Sequence, residues 1–107
     1  MLGIGFDLVV GFEWDAGNAR KSSDKHNVSQ GEAEQMFFGW PLLVVEDTKH
    51  SAVEPRFHAL GVTETGRLLH ATFALRHAGT RIRIISAREM SRKERNIYAE
   101  EKRNTES

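Results

Sequence analysis

Arg56 and His58 stand two residues apart at the start of an apolar stretch, where they could act together on a phosphate. In an extended strand they would share one face, roughly 7 Å apart. A guanidinium can stabilise a pentacoordinate phosphate, and an imidazole, with an ordinary pKa of about 6.5, can move a proton at a ribose 2′-hydroxyl or at the leaving oxygen. The pair therefore suits RNA cleavage, although two such residues on one strand are more often part of a solvated surface.

A second arginine pair lies in the sequence TRIRIISAR, residues 80–88. Strict alternation divides this predicted strand into two faces. One face would carry Arg81, Arg83, Ile85 and Ala87, and the other Ile82, Ile84, Ser86 and Arg88. Arg81 and Arg83 are then either a solvated surface over an isoleucine core or a clamp for a phosphate, and the sequence favours neither.

Lys25 and His26 supply an ammonium and an imidazole near the end of a predicted short helix over residues 16–26, with Asp15 as its N-cap. Positive charge in the last turn of a helix complements the helix dipole. That alone accounts for both residues, so the spacing by itself assigns them no catalytic role.

The elements that would position these residues follow the order β-α-α-β-β-β-β-α. The predicted strands are 4–14, 42–46, 56–63, 67–76 and 81–88, and the predicted helices are 16–26, a helix opened by the Ser29–Glu32 capping box and a helix opened by the Ser91–Glu94 capping box. Glycine-containing links of hairpin length favour a meander, so the fold class is α+β, an antiparallel sheet with helices to one side. Even-numbered residues of 4–14 should be buried, and Trp40 should extend the packing stripe of the second helix.

Composition excludes several classes of protein. The chain has 107 residues and no cysteine, which suits one domain, here residues 1–99 with a frayed tail at 100–107, and rules out disulfides and thiolate zinc sites. No apolar run is long enough for a membrane span, and no signal peptide is evident, so a cytoplasmic protein is expected. Five histidines without a metal-binding spacing predict no metal, and no cofactor motif occurs.

A zero net charge hides an asymmetry between the two halves. Residues 1–54 carry nine acids and four bases, a net charge of −5, whereas residues 55–107 carry six acids and eleven bases, a net charge of +5. Nine of those eleven bases are arginine, which suits phosphate oxygens. The second half is compatible with a nucleic acid, with an acidic protein partner, or with charge that merely keeps the protein soluble.

Taken together, these motifs resemble the BrnT-type toxins of bacterial type II toxin–antitoxin systems. The resemblance is carried, in order, by Phe12–Asp15, Lys25–His26 with Val28–Ser29, Glu32–Ala33, His50–Ser51, Arg56–Gly61, Gly66–Leu69, Arg81–Arg88 and Glu94–Tyr98. It implies a RelE-like fold and a metal-independent endoribonuclease that stops translation. It also implies RNA as the substrate and a ribbon-helix-helix antitoxin that neutralises the toxin and, with it, binds operator DNA.

The motifs and the resemblance together lead to a set of site residues, which we state as predictions. The catalytic candidates are Lys25, His26, Arg56, His58, Arg83 and Arg88, and the RNA-binding candidates are Arg67, Arg81 and Ser86. The arginines would hold the scissile phosphate, and the lysine or a histidine would act as acid or base.

Several positions depart from the family pattern, among them Asn18, Ser22 and Val62. They motivate one alternative, a non-catalytic toxin-like module that binds only an antitoxin or RNA. A third possibility is an interaction protein whose arginine-rich face binds an acidic protein partner.

Overall fold

A computed structural model describes residues 8–18, 27–50 and 54–106. The strands are β1 (Gly11–Phe12), β2 (Leu43–Glu46), β3 (Arg56–Val62), β4 (Leu68–Arg76) and β5 (Arg81–Glu89); the helices are α1 (Gln30–Gln35) and α2 (Arg92–Glu106), and Thr48–His50 form a 3-10 turn. Residues 16–18 are also helical. The rest of the predicted helix over 16–26 and residues 4–7 of the first predicted strand lie outside the described ranges.

The five strands form one sheet in the order β1-β5-β4-β3-β2. Strands β2 to β5 pair antiparallel with their successive neighbours, which confirms the predicted meander. Glycines with positive φ, Gly66 at +90° and Gly79 at +87°, make the two tight links between β3, β4 and β5. However, β1 pairs parallel with β5. The prediction of a wholly antiparallel sheet is therefore wrong, because no short turn fixes the direction of a strand that joins from the distant N-terminal segment.

Alternate residues of β3 and β4 build the hydrophobic core on one face of the sheet. Phe57, Leu69 and Phe73 are buried there. The Phe73 ring stacks on Phe57 with centroids 5.3 Å apart and meets Phe37 edge to face at 5.2 Å. Such pairs add to the free energy that apolar burial supplies.

Helix α1 covers this core face. The Ser29 side chain accepts a hydrogen bond from the Glu32 N–H, and the Glu32 carboxylate accepts one from the Ser29 N–H, so the predicted capping box is confirmed. Met36 is buried, but Trp40 is 67% exposed, so the prediction that Trp40 extends the packing stripe is wrong. The helix ends at Gln35, and helical spacing does not reach residue 40.

A β-bulge at Ile85 changes which side chains of β5 share a face. Thr72 pairs with Ser86, but the next residue, Phe73, pairs with Ile84, so Ile85 is the extra residue. The core face of β5 carries the buried residues Ile82, Ile84 and Ala87, and the opposite face carries Arg81, Arg83, Ser86 and Arg88. Strict alternation along 80–88 is therefore wrong beyond Ile85.

Helix α2 lies on the opposite, polar face of the sheet, where its Glu94 contacts Arg88. The prediction that the helices lie to one side is therefore wrong. The second capping box is confirmed, because the Ser91 hydroxyl accepts from the Glu94 N–H at 3.2 Å and the Glu94 carboxylate accepts from the Ser91 N–H at 2.8 Å. The helix continues to Glu106, so the chain over 100–106 is helical where the sequence predicts a frayed tail.

The N-terminal segment packs on the core less regularly than predicted. Leu8 and Val10 are 62% and 74% exposed, whereas Val9, Phe12 and Trp14 pack against the core. Burial of all even positions is therefore wrong among the described residues, since only Gly11–Phe12 have strand geometry.

Candidate active site

Three arginines from three adjacent strands meet on the polar face of the sheet. Ala74 of β4 pairs with Arg56 of β3 on one side and with Arg83 of β5 on the other. Because Ala74 ends at its Cβ, the long side chains beside it have room to extend over the strand. Arg76 lies two residues further along β4, on the same face.

These guanidiniums line a cavity of about 270 Å³, which we call the arginine cavity. Its lining residues are Gly17, Asn18, Glu54, Arg56, Arg76, Arg83 and Ile85. The side chain of Arg83 is only 16% exposed. Electrostatic interactions at a partly desolvated guanidinium are stronger than they are at an open surface.

Carboxylates from the N-terminal half of the chain neutralise two of the arginines. Asp15 accepts hydrogen bonds from both terminal nitrogens of Arg83, at 2.7 and 3.1 Å. Glu54 lies 2.6 Å from Nε of Arg76 and accepts from its Nη2 at 3.1 Å. Glu13 is more distant, 4.0 Å from Arg76 and 3.9 Å from Arg83.

These contacts shift the pKa values of Asp15 and Arg76. The Arg83 guanidinium, by hydrogen bonding, holds the pKa of the Asp15 carboxyl below its ordinary value, and the Gly17 N–H reinforces the effect. The hydrogen bond to Glu54 raises the pKa of Arg76. The cavity is therefore surrounded by both positively and negatively charged side chains at neutral pH.

Asn18 fixes the Asp15 loop to the sheet. Its side chain is buried, and its amide nitrogen donates to the carbonyls of Glu13 at 3.0 Å and Ile84 at 2.8 Å. Its side-chain oxygen accepts from the Asp15 N–H at 2.7 Å. These three bonds hold Asp15 opposite Arg83, which gives Asn18 a structural role.

His58 shares a face with Arg56, as predicted, but lines a different cavity. Its Nδ1 lies 3.0 Å from the Thr72 hydroxyl and its Nε2 lies 3.1 Å from the Asp47 carboxylate. The ring contributes to a largely apolar groove of about 670 Å³ between α2 and strands β2–β4. The structure therefore does not bring His58 into the arginine cavity.

Arg88 lies beside the same groove and is held by α2. Its two terminal nitrogens donate to Glu94 at 2.8 and 2.9 Å. These bonds, with the Ser91 N–H, lower the pKa of Glu94 to about 2. Burial, and then the charge of Arg88, lowers the pKa of the neighbouring His70 to about 4, so this ring is neutral at pH 7.

The other predicted site residues are spread along the sheet. Arg67 precedes β4, roughly 30 Å of strand from Arg76, and its guanidinium binds Glu32 and Glu89. Arg81 is exposed and pairs with Arg76, next to the arginine cavity. Ser86 is half-buried on the polar face. Lys25 and His26 lie outside the described residues.

Comparison with protein-family models identifies the family of this chain. Residues 14–94 match the model described as the ribonuclease toxin BrnT of type II toxin–antitoxin systems. The chain belongs to the BrnT toxin family. A search among curated proteins found no match.

The BrnT match covers every residue that lines the arginine cavity, and it includes Asp15. Family membership implies an RNA target and an antitoxin partner. Within the described ranges, no group of three or more histidines, aspartates or glutamates is placed to hold a metal ion. None of the described helices is long and apolar enough to cross a membrane.

Sequence reasoning did not single out Arg76, Glu54, Glu13 or Asp15 as site residues. Arg76 ends a predicted strand whose partner begins with Arg81, so a hairpin register could have placed it in the cluster. The carboxylates gave a weaker signal, the excess of acids in the first half of the chain. Nothing local in the sequence tells which acid reaches which arginine.

Proposed function

We propose that this BrnT-family protein is a metal-independent endoribonuclease that cleaves RNA by attack of the 2′-hydroxyl on the adjacent phosphodiester. The observation that supports the proposal is the convergence of Arg56, Arg76 and Arg83 around one cavity. Three guanidiniums from a rigid sheet can bind a phosphate and compensate the charge that develops on its oxygens during attack. The reaction would leave a 2′,3′-cyclic phosphate and a 5′-hydroxyl end.

The predicted residues take different parts in this proposal. Arg56 and Arg83 hold the scissile phosphate, and Arg81, at the edge of the cluster, holds a neighbouring one. Lys25, His26 and His58 remain candidates for proton transfer. Arg67, Arg88 and Ser86 remain RNA-binding or catalytic candidates. Arg67 and Arg88, like Arg83 with Asp15, must exchange ion pairs with carboxylates before they contact a phosphate.

The cellular role follows from the family. RNA cleavage would take place in the cytoplasm and inhibit translation, and a ribbon-helix-helix antitoxin would bind and neutralise the protein. The pair would then bind its operator DNA. The RelE-like fold is part of the same proposal, supported by a four-stranded antiparallel meander with helices on its faces.

The test is cleavage by the purified protein in the presence of EDTA, together with growth after induced expression. Arg83→Ala and Arg56→Ala should each lower the cleavage rate about 10²- to 10³-fold, because each removes one group that stabilises charge in the transition state, and each should relieve growth arrest. Arg92→Ala, at the exposed start of α2, is the matched control and should cleave like wild type. A folded wild-type protein that neither arrests growth nor cleaves RNA would instead support the non-catalytic module.

A further inference from the structure

Attack by a 2′-hydroxyl needs a base that lies within hydrogen-bond reach of it while the phosphate is bound. Lys25, His26 and His58 were the candidates for proton transfer, and neither of the first two is described. His58 faces the apolar groove, where both of its ring nitrogens have partners. The arginine cavity contains a different candidate, the carboxylate of Glu54.

We propose that Glu54 is the general base that removes the proton from the attacking 2′-hydroxyl. This role rests on the proposed ribonuclease function. Glu54 is half-buried in the wall of the arginine cavity, beside Arg76 and two residues before Arg56. Pro55 follows it, and a residue before proline is restricted to extended conformations. The contact with Arg76 places the carboxylate just before the start of β3, next to the arginines that would hold the phosphate.

The other two carboxylates near the cluster are less suited to this role. Asp15 does not line the arginine cavity, and both of its oxygens accept hydrogen bonds from Arg83, one of the arginines that would hold the scissile phosphate. Glu13 does not line the arginine cavity, and its closest guanidinium nitrogen in the cluster is 3.9 Å away. Glu54 is the carboxylate among the described residues that both lines the cavity and contacts a cluster arginine through a side chain that is 26% exposed.

The pairing of Glu54 with Arg76 gives the carboxylate two states. In the free protein it occupies Arg76 at 2.6 and 3.1 Å. An incoming phosphate competes for the same guanidinium, because both groups are anions that a guanidinium binds. When the phosphate takes Arg76, the released carboxylate faces the cavity with its lone pairs free to accept the 2′-hydroxyl proton.

The step balances without any further reagent. The 2′-O–H bond breaks and its proton passes to Glu54, while the 2′-oxygen forms a bond to phosphorus. The bond from phosphorus to the 5′-oxygen breaks, and that oxygen takes a proton from a general acid or from water. The products are a 2′,3′-cyclic phosphate and a 5′-hydroxyl, and Glu54 then loses its proton to solvent.

The test compares Glu54→Gln with Glu64→Gln, an exposed glutamate in the β3–β4 turn, by cleavage rate from pH 4 to 8 and by binding of a 2′-O-methyl RNA that cannot be cleaved. E54Q should cleave about 10²- to 10⁴-fold more slowly and lose the acid limb of the pH–rate profile. It should bind the 2′-O-methyl RNA at least as tightly as wild type, because the side chain that competes with the RNA phosphate for Arg76 is then uncharged. E64Q should match wild type in every measurement.

A shorter acid guards against a variant that fails to fold. Glu54→Asp keeps a carboxylate and should retain the acid limb at a reduced rate. The role is overturned if E54Q cleaves at the wild-type rate, or if E54Q loses RNA binding in proportion to its rate, which would mark a residue that only positions Arg76. If wild type cleaves no RNA, the proposed function itself fails and this role fails with it.

Discussion

Asn18 shows how one side chain can determine the geometry of the arginine cavity. The resemblance to BrnT toxins marks this position as a departure from the family pattern. In the structure its side chain makes three buried or half-buried hydrogen bonds, two within the N-terminal segment, to Glu13 and Asp15, and one to Ile84 of β5. The departure therefore preserves a link between the N-terminal segment and the sheet, which weakens the argument from Asn18 for a non-catalytic module.

We expect Asn18→Ala to destabilise the fold by about 1–3 kcal/mol, because it leaves two carbonyls and one N–H without their partner. Urea denaturation followed by circular dichroism measures the change in the free energy of unfolding. Asn96→Ala, on an exposed position of α2, is the control and should stay within about 0.5 kcal/mol of wild type. Equal stability of Asn18→Ala and wild type would contradict the structural role.

At the level of single residues, the alternation of side chains along a strand predicts which face of the sheet a residue lies on, but not which cavity it lines. It correctly places Arg56 and His58 on one side of β3, since successive side chains of a strand point to opposite faces. It cannot tell that Arg56 faces the arginine cavity while His58 faces the groove under α2. That difference depends on Ala74, Thr72 and Asp47, which are distant in sequence.

Among the elements, β5 determines how many arginines share the polar face. The bulge at Ile85 keeps Arg83 and Arg88 on one side, although they are five positions apart and strict alternation would put them on opposite faces. Without the extra residue, either the isoleucines would leave the core or Arg88 would enter it. Bulges depend on the partner strand and are not visible in the alternation of one strand.

Helix α2 packs over a pair of histidines on the polar face of the sheet. The rings of His58 and His70 lie 5.2 Å apart, and Arg88 and Glu94 complete the surroundings of His70. Burial and Arg88 keep His70 neutral, with a pKa of about 4 against an unfolded value of about 6.5. The unfolded chain therefore binds a proton at a higher pH than the folded chain does.

This difference predicts that the fold loses stability as the pH falls from about 6.5 to 4. His70→Leu should remove about 1–2 kcal/mol of that loss, after allowance for the screening of a partly exposed ring. Urea denaturation at several pH values measures the slope. Glu94, with a pKa of about 2, adds its own loss only below pH 4.5, so the two windows largely separate. The account is contradicted if the free energy of unfolding of His70→Leu falls between pH 6.5 and 4 as steeply as that of wild type.

Local sequence signals predict the helices and strands well. Features that depend on contacts between distant segments are predicted poorly. Both capping boxes and all four strands of the meander follow from residues within a few positions of each other. The parallel pairing of β1, the end of α1 at Gln35 and the docking of α2 on the polar face depend on contacts between distant segments. Those are the points at which the sequence predictions fail.

On the scale of the whole molecule, the opposite charges of the two halves become ion pairs across the fold. Acids of residues 1–54 meet arginines of residues 55–107 in Asp15–Arg83, Glu54–Arg76 and Glu32–Arg67. The arginine-rich half is therefore not simply an open basic surface. A phosphate that binds in the arginine cavity must exchange with carboxylates, which favours a ligand with several charges over a single small anion.

The chemistry of the RNA ends tests the central claim most directly. After cleavage in EDTA, mass spectrometry of the fragments should find 2′,3′-cyclic phosphate and 5′-hydroxyl ends, and an RNA with a single 2′-deoxy ribose at the scissile position should stay uncut there. Arg83→Ala should form the same ends about 10²- to 10³-fold more slowly. Ends that carry a 5′-phosphate, cleavage at the 2′-deoxy position, or wild-type rates in Arg83→Ala would contradict the proposal that the phosphodiester reacts in the arginine cavity.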